Sequence, residues 1–330
     1  MFATPGATLG APRRRPPPVA ARPEAIVLDL PVASGEPAGL QYLAVAADPW
    51  PGVVAVWRGS EQGFGLHRFV TLPAMIGSTL TSLPPGPLWR WDDVNAVEIV
   101  LSSGSLSAVS DEAALAGGNL VAVRGGDGRW EILAAARAEL IGERRYRLSR
   151  LLRGLAGSEP EAARTVPAGA RVVRLDEAVV PLASGLADLG RTWRYRVGPA
   201  DRDHADPSVV ELVATAGTDA LKPFAPVHVG ARREVGGVRL SWIRRTRRDG
   251  DAWEPLDVPL GEDGERYELD ILQGSTPVRT LPSTAPEALY AATQELADFG
   301  APQAALTVRV AQVSAAVGRG FEAIVTVPVV

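Results

Sequence analysis

The stretch NLVAVRGGDGRWEILAAARAELIGERRYRLSRLLRG, residues 119–154, decides the fold. Its apolar runs at 119–124, 130–136 and 145–152 have the length of β-strands, and turn residues separate them. The segment Gly125-Gly126-Asp127-Gly128 lies between the first two runs. Glycine accepts a positive φ without a Cβ clash, so this segment predicts a tight hairpin turn.

Short runs of the same kind continue on both sides of this stretch. Together with the three runs inside it they make seven, which turn signals separate, at 96–101, 119–124, 130–136, 145–152, 171–175, 192–197 and 209–214. Several short strands at this spacing are typical of a barrel or a sandwich, so we assign residues 66–221 to one central β-domain.

The first 65 residues divide into two parts. Residues 1–24 are rich in Pro, Ala and Arg, and we expect an extended arm or linker there. Residues 25–65 return to β pattern and are expected to complete a domain that begins upstream. The runs 42–47 and 53–57 flank the turn Asp48-Pro49-Trp50-Pro51-Gly52, and this arrangement predicts a hairpin.

Residues 222–330 form a further unit, which Pro223 and Pro226 separate from the rest. Alternation at period two indicates strands with one buried face, and Trp242, Tyr267 and Val308 are expected in the core. Seven strands are predicted, at 227–232, 238–244, 266–272, 278–281, 289–293, 306–313 and 322–327. This number is typical of an immunoglobulin-like sandwich, so the whole chain is predicted to be all-β.

Composition excludes several classes of function. The chain has no cysteine, which removes disulfides, thiolate metal sites and cysteine nucleophiles. Its net charge of −4 gives no basic field for nucleic acid. No run of 18 apolar residues occurs, so we expect no membrane span. Arg13-Arg14-Arg15 precedes three prolines, where a secretory leader would have an apolar segment.

The motifs of catalytic and cofactor sites are missing as well. Lys222, the only lysine, precedes Pro223, so there is no phosphate-binding loop of the Gly-Lys-Ser/Thr type. We therefore predict no enzyme activity and no cofactor. Asp201, Asp203 and Asp206 form the most metal-like cluster, but the EF-hand pattern fails because its twelfth position is Leu212. We interpret them as part of a solvated loop and predict no metal.

Arginines and tryptophans supply the candidate contact surfaces. Arg244, Arg245, Arg247 and Arg248 form a basic patch, which either contacts an acidic partner or an anionic envelope polysaccharide, or pairs with charges of its own chain. Acidic side chains between residues 249 and 265 are interpreted as solvated loops. Trp89 and Trp91 are interpreted as packing residues rather than as a ligand platform.

The middle region resembles the C-terminal region of phage tail-tip proteins. The resemblance lies in WEIL at 130–133 and YRLSRLLRG at 146–154. Three further segments resemble the large baseplate protein of rhodobacterial gene transfer agents: YLAVAADPWPG at 42–52, LSWIRRTRRDGD at 240–251 and LADFGAP at 296–302.

The terminal unit resembles a fibronectin type III domain. Leu240-Ser241-Trp242, 267–270 and 306–310 stand where that family has its second-, third- and sixth-strand motifs, although Leu306 replaces the expected corner tyrosine.

These resemblances imply a structural component of a tail baseplate, present as a homotrimer in a virion-like particle that is assembled in the bacterial cytoplasm. They imply contacts with other tail proteins and with host envelope polysaccharide. The chain would correspond to the C-terminal part of a longer protein. Two alternatives remain open: a carbohydrate-binding adhesin module, and a non-catalytic part of a peptidoglycan-hydrolysing tail protein.

Overall fold

The computed structural model describes residues 22–30, 41–60, 63–182, 185–247 and 259–330. In these ranges the chain is all-β, as the sequence predicts. The predicted arm lies outside them up to residue 21. None of the helices in the described ranges has the length and apolarity needed to cross a membrane.

The elements up to residue 221 are mostly short strands. In chain order they are β1 Glu24–Leu28, β2 Gln41–Ala46, β3 Val54–Ser60, β4 Gly63–Val70, β5 Ile76–Thr79, β6 Asp92–Leu101, α1 Asp111–Leu115, β7 Leu120–Arg124, β8 Trp130–Gly142, β9 Arg145–Leu152, α2 Glu159–Ala162, β10 Arg171–Arg174, β11 Val180–Leu182, β12 Thr192–Pro199 and β13 Val210–Thr215.

Six of these strands close into a barrel in the order β10-β5-β6-β9-β8-β7, and every neighbouring pair is antiparallel. The glycine-rich turn joins β7 to β8, which confirms the predicted hairpin. Alternate side chains fill the interior because successive residues of a strand point to opposite faces. Ile99, Leu133, Leu148 and Val172 meet there and are almost fully buried.

The remaining seven strands form a sandwich beside the barrel. The sheet β1-β2-β11 faces the sheet β13-β12-β3-β4, and Leu43 and Val45 pack against Val54, Val56 and Tyr195 between them. The predicted hairpin of 42–47 with 53–57 is therefore wrong. Both runs are apolar because they face each other across the core, and each pairs with strands from elsewhere in the chain.

The barrel is inserted into this first sandwich. The chain leaves the sandwich after β4, builds the six barrel strands, and returns at β11. The sheets therefore join strands from 24–70 with strands from 180–215, whereas the sequence analysis placed consecutive ranges in separate units. The outer face of β1 and β2 packs on the barrel wall, where Leu28 and Ala44 lie with Ile132.

The last hundred residues form a second sandwich. Its elements are β14 Val227–Glu234, β15 Gly237–Ile243, β16 Tyr267–Gln273, β17 Thr276–Ser283, β18 Glu287–Ala291, α3 Ala292–Phe299, β19 Ala305–Ser314 and β20 Gly318–Pro328. The sheet β14-β15-β18 faces β17-β16-β19-β20, which makes the seven strands that the sequence predicts. Trp242, Tyr267 and Val308 are buried in the core between the sheets.

Asp29 lies where the first sandwich, the barrel and the second sandwich meet. A small cavity there is lined by Asp29 and Asp219 of the first sandwich, Arg129 and Glu161 of the barrel, and Phe321 of the second sandwich. Burial raises the pKa of Asp29 from its usual 3.8 to about 6, and the charge of Asp219 adds to the rise. A hydrogen bond from the backbone of Gly217 and the charge of Lys222 act in the opposite direction.

The ionised Asp29 is expected to destabilise the fold, since the folded chain binds this proton more tightly than the unfolded chain. Asp29→Asn should increase the free energy of unfolding above pH 6 by up to about 3 kcal/mol, and the gain should vanish as the pH falls toward 4. Urea unfolding of both proteins from pH 4 to 8 measures this difference.

The matched control is Asp201→Asn, at a side chain that is largely exposed. This control should change the free energy of unfolding little, because substitutions at exposed positions usually have effects within about 0.5 kcal/mol. A constant difference between Asp29→Asn and the unchanged protein across the whole range would contradict the expectation.

Candidate functional site

A buried guanidinium, that of Arg153, lies at the end of strand β9. Arg153 follows Leu152, and its side chain is entirely shielded from solvent. Its Nε donates to Oε1 of Glu131 at 2.5 Å, and its Nη2 donates to Oε2 of the same carboxylate at 2.8 Å. Such a bidentate pair is the strong form of a charge-assisted hydrogen bond. Arg153 therefore ties the end of β9 to β8.

Asp92, the first residue of β6, completes the buried ion cluster. Arg153 Nη1 lies 3.3 Å from Oδ2 of Asp92 and donates to the carbonyl oxygen of Pro84 at 3.1 Å. Burial acts to raise the pKa of Asp92, but hydrogen bonds from Asn95 and Val94 and the charge of Arg153 outweigh it and lower the pKa. The carboxylate is held in its charged form.

Two glycines let other segments approach this ion cluster. Gly154 has a φ of +63°, and a Cβ there would lie 2.7 Å from a methyl carbon of Leu88 and 2.9 Å from Cα of Glu159. At Gly86 a Cβ would lie 2.5 Å from Nη1 of Arg153. The arginine fills the space that Gly86 leaves open, whereas the space that Gly154 leaves open is taken by Leu88 and Glu159.

The ion cluster holds structure in place. One guanidinium faces two carboxylates, and Gly154 N–H also lies 3.4 Å from Glu131. Removing one member of a buried ion pair leaves an uncompensated charge and typically costs about 3–5 kcal/mol. Arg153 therefore closes one end of the barrel through β6, β8 and β9.

A cavity of about 120 Å³ lies next to this end of the barrel. Arg245, from the second sandwich, crosses it: its guanidinium lies 4.7 Å from the ring centre of Trp89 and 4.9 Å from that of Phe224. Arg245 Nη1 also donates to Oε1 of Glu159 at 2.6 Å. The cavity wall is formed by Leu88, Trp89, Arg90, Leu152, Arg153, Gly154, Leu155, Ala156, Glu159 and Arg245.

Two other arginines of the basic patch are paired within the chain. Arg244 donates to the carbonyl oxygen of Pro259, and Arg247 lies 3.0 Å from Glu262. Arg248 lies outside the described residues. Arg245, in contrast, links two structural units, so the structure brings one residue of the patch to the cavity beside the barrel. Whether the patch also meets a partner stays a prediction.

The aspartates with metal-like spacing serve the turn that follows β12. Asp203 accepts a hydrogen bond from the backbone of Ala205 and lies 2.9 Å from Nδ1 of His204. Asp206 accepts hydrogen bonds from the backbone and hydroxyl of Ser208. These hydrogen bonds lower the pKa of both carboxyls. Within the described ranges no three His, Asp or Glu side chains are placed to hold a metal ion.

The remaining candidates lie apart from the cavity. Trp91 stacks on Arg150 of the barrel. Of the acidic loop residues, Glu265 accepts the hydroxyl hydrogen bond of Tyr267, while those from 249 to 258 lie outside the described ranges.

The carboxylates that complete the site were not among the residues predicted from the sequence. Glu131 interrupts the apolar run 130–136 and is fully buried, and Glu159 directly follows the turn after Gly154. A charged residue inside an otherwise apolar strand was the available signal, because such a residue requires a partner of opposite charge. Asp92 carries no comparable signal, since it stands beside Asp93 in a polar segment.

Part of the chain matches a known family. Residues 74–173, a little under a third of the chain, match the family model described as Rcc01698-like, C-terminal. The match begins just before β5 and ends within β10, so it covers the barrel and its buried ion cluster and leaves both sandwiches outside. Among curated proteins no match is found.

Replacing Arg153 by methionine should destabilise the barrel by about 3–5 kcal/mol, because Glu131 and Asp92 would remain buried without their counter-charge. Urea unfolding together with hydrogen exchange of strands β6, β8 and β9 measures the loss. The matched control is Arg150→Met, whose side chain pairs with Asp93 and Asp111 at the surface, and this variant should lose much less stability. Equal losses for the two variants would refute this role of Arg153.

Replacing Gly154 by alanine should cost roughly 2 kcal/mol or more, because the left-handed conformation disfavours a Cβ and the backbone of Glu159 cannot yield to it. The thermal unfolding midpoint of the variant should fall accordingly. Gly185→Ala serves as the control, since Gly185 has a φ of −81° and no atom lies within 4 Å of its added Cβ. A smaller effect at Gly154 than at Gly185 would rule out the close-approach explanation.

Proposed function

We propose that this chain is a structural component of a phage-like tail baseplate or tip, of the kind found in gene transfer agents, and that it contributes to distal tail assembly and host-surface contact. In this proposal the chain catalyses no reaction. It contacts other tail proteins, and it is present in the particle as a homotrimer. The fibronectin-like character of the second sandwich belongs to the same proposal.

The observation that carries the proposal is the agreement between the family match and the barrel. The matched residues 74–173 coincide with one closed structural unit, and they include the Leu-Leu-Arg-Gly strand end on which the resemblance to tail-tip proteins rests. A family match over a complete barrel says more about function than the presence of a sandwich fold does, since sandwiches occur in many unrelated proteins.

The connections between the units support a mechanical role. The barrel joins the first sandwich through two chain connections and an apolar contact. It joins the second sandwich through the pair Arg245–Glu159, in which both side chains are largely buried. An element of a tail tip must transmit force between its neighbours, and buried contacts of this kind resist separation of the units.

A carbohydrate-binding adhesin is the second candidate. It is favoured by the cavity between the barrel and the second sandwich, which Trp89 borders with a side chain that is 67% exposed. Small-ligand sites are commonly concave, mostly apolar, and equipped with a few polar groups. This candidate and the baseplate function are compatible if the tail tip touches envelope polysaccharide.

The proposal predicts that the chain is built into particles. In a bacterium that produces gene transfer agents, the tagged chain should sediment with complete particles, and immunogold labelling should place the tag at the distal end of the tail. The Arg150→Met variant should behave like the unchanged chain, whereas Arg153→Met should reduce incorporation because the barrel is destabilised.

The decisive comparison is between particle and soluble fractions. Recovery of the tagged chain in the soluble fraction alone, from cells that release complete tailed particles, would overturn the baseplate function. Labelling along the tail tube or on the head would overturn the placement at the tip.

A further inference from the structure

We propose that the cavity between the end of the barrel and the second sandwich binds a neutral pyranose ring. This inference rests on the host-surface contact proposed above, and it gives that contact a place in the fold and a class of ligand. The site consists of Glu159 and Gly154 on the barrel side, Arg245 on the sandwich side, and Trp89 at the rim.

One carboxylate oxygen of Glu159 lacks a hydrogen-bond partner among the described residues. Glu159 is only 8% exposed, and Arg245 occupies its Oε1. Its Oε2 is shielded from solvent and has no hydrogen-bond partner among the described residues. A buried charged oxygen without a donor is unfavourable, so a hydroxyl that displaces the atoms covering Oε2 and donates a hydrogen bond to it stabilises the site. A sugar hydroxyl is such a donor.

The charges around the cavity favour a neutral ligand. Arg90, Arg153 and Arg245 contribute three positive charges at and behind its wall, and Glu159, Glu131 and Asp92 contribute three negative charges, so the net charge there is zero. A cation would be repelled by the guanidinium groups of Arg90 and Arg245, and an anion would be repelled by the buried carboxylate of Glu159. A polyol avoids both penalties and can accept hydrogen bonds from the arginines.

Trp89 supplies a platform for one face of the sugar ring on the part of its indole that Arg245 does not cover. Its backbone has a φ of +63°, a conformation that is rare for a bulky residue, and most of its indole remains exposed. One exposed aromatic ring beside hydrogen-bonding groups matches a pyranose, which has an apolar C–H face and a polar rim. Leu88, Leu152 and Leu155 add apolar wall, and the volume of about 120 Å³ is of the order of one sugar ring.

The experiment uses the full chain and three uncharged probes: methyl α-D-glucopyranoside, methyl β-D-galactopyranoside and N-acetylglucosamine. Saturation-transfer difference spectra should show a signal for at least one probe. Its dissociation constant, measured by titration, should rise at least tenfold in Trp89→Ala and in Glu159→Gln. Trp91→Ala is the matched control, since Trp91 stacks on Arg150 outside the cavity, and this variant should bind like the unchanged chain.

Thermal unfolding of each variant separates lost binding from lost folding, and Trp89→Ala is expected to fold because its side chain is mostly exposed. The inference is overturned if no pyranoside binds, if Trp91→Ala weakens binding as strongly as Trp89→Ala does, or if choline binds in place of the sugars. Incorporation into particles is measured independently, so loss of sugar binding with normal incorporation would remove this inference and leave the baseplate function standing.

Discussion

The barrel depends on the neutralisation of one guanidinium that has no access to water. Arg153 could not be buried alone, because a lone charge in a protein interior is far less stable than the same charge in solution. Glu131 and Asp92 compensate it, and the backbone groups around them complete the hydrogen bonding. The strand end, the adjacent turn and the start of β6 are therefore defined together, since each supplies part of the ion cluster.

The same strand end positions the second sandwich. Because Gly154 has no side chain, helix α2 approaches closely enough to present Glu159 at the barrel surface. Glu159 then receives Arg245, whose guanidinium is held between the rings of Trp89 and Phe224. Arg153 thus closes the barrel, and the adjacent Gly154 makes room for the contact through which the second sandwich docks.

Local pattern in the sequence predicted the strands well and their partners less well. The glycine-rich turn at 125–128 specifies its own hairpin, because turn and strands are contiguous. The apolar runs 42–47 and 53–57 show only that each has a buried face, and they do not show whether the two strands pair or face each other. Arg153 and Asp92 lie 61 residues apart, so no local pattern relates them. The cavity has contributions from two units and was likewise beyond sequence reasoning, although Trp89 and Arg245 had both been singled out.

The insertion of the barrel has a consequence for how such proteins diversify. Its first and last strands, β5 and β10, are hydrogen-bonded neighbours, with Ile76 opposite Val173. The two points at which the barrel joins its host sandwich are therefore close together, which is the condition under which a folded unit can be moved into a surface loop of another protein without opening that protein's core. Recombination between genes could therefore transfer the barrel as a whole folded unit while the flanking sandwiches change independently.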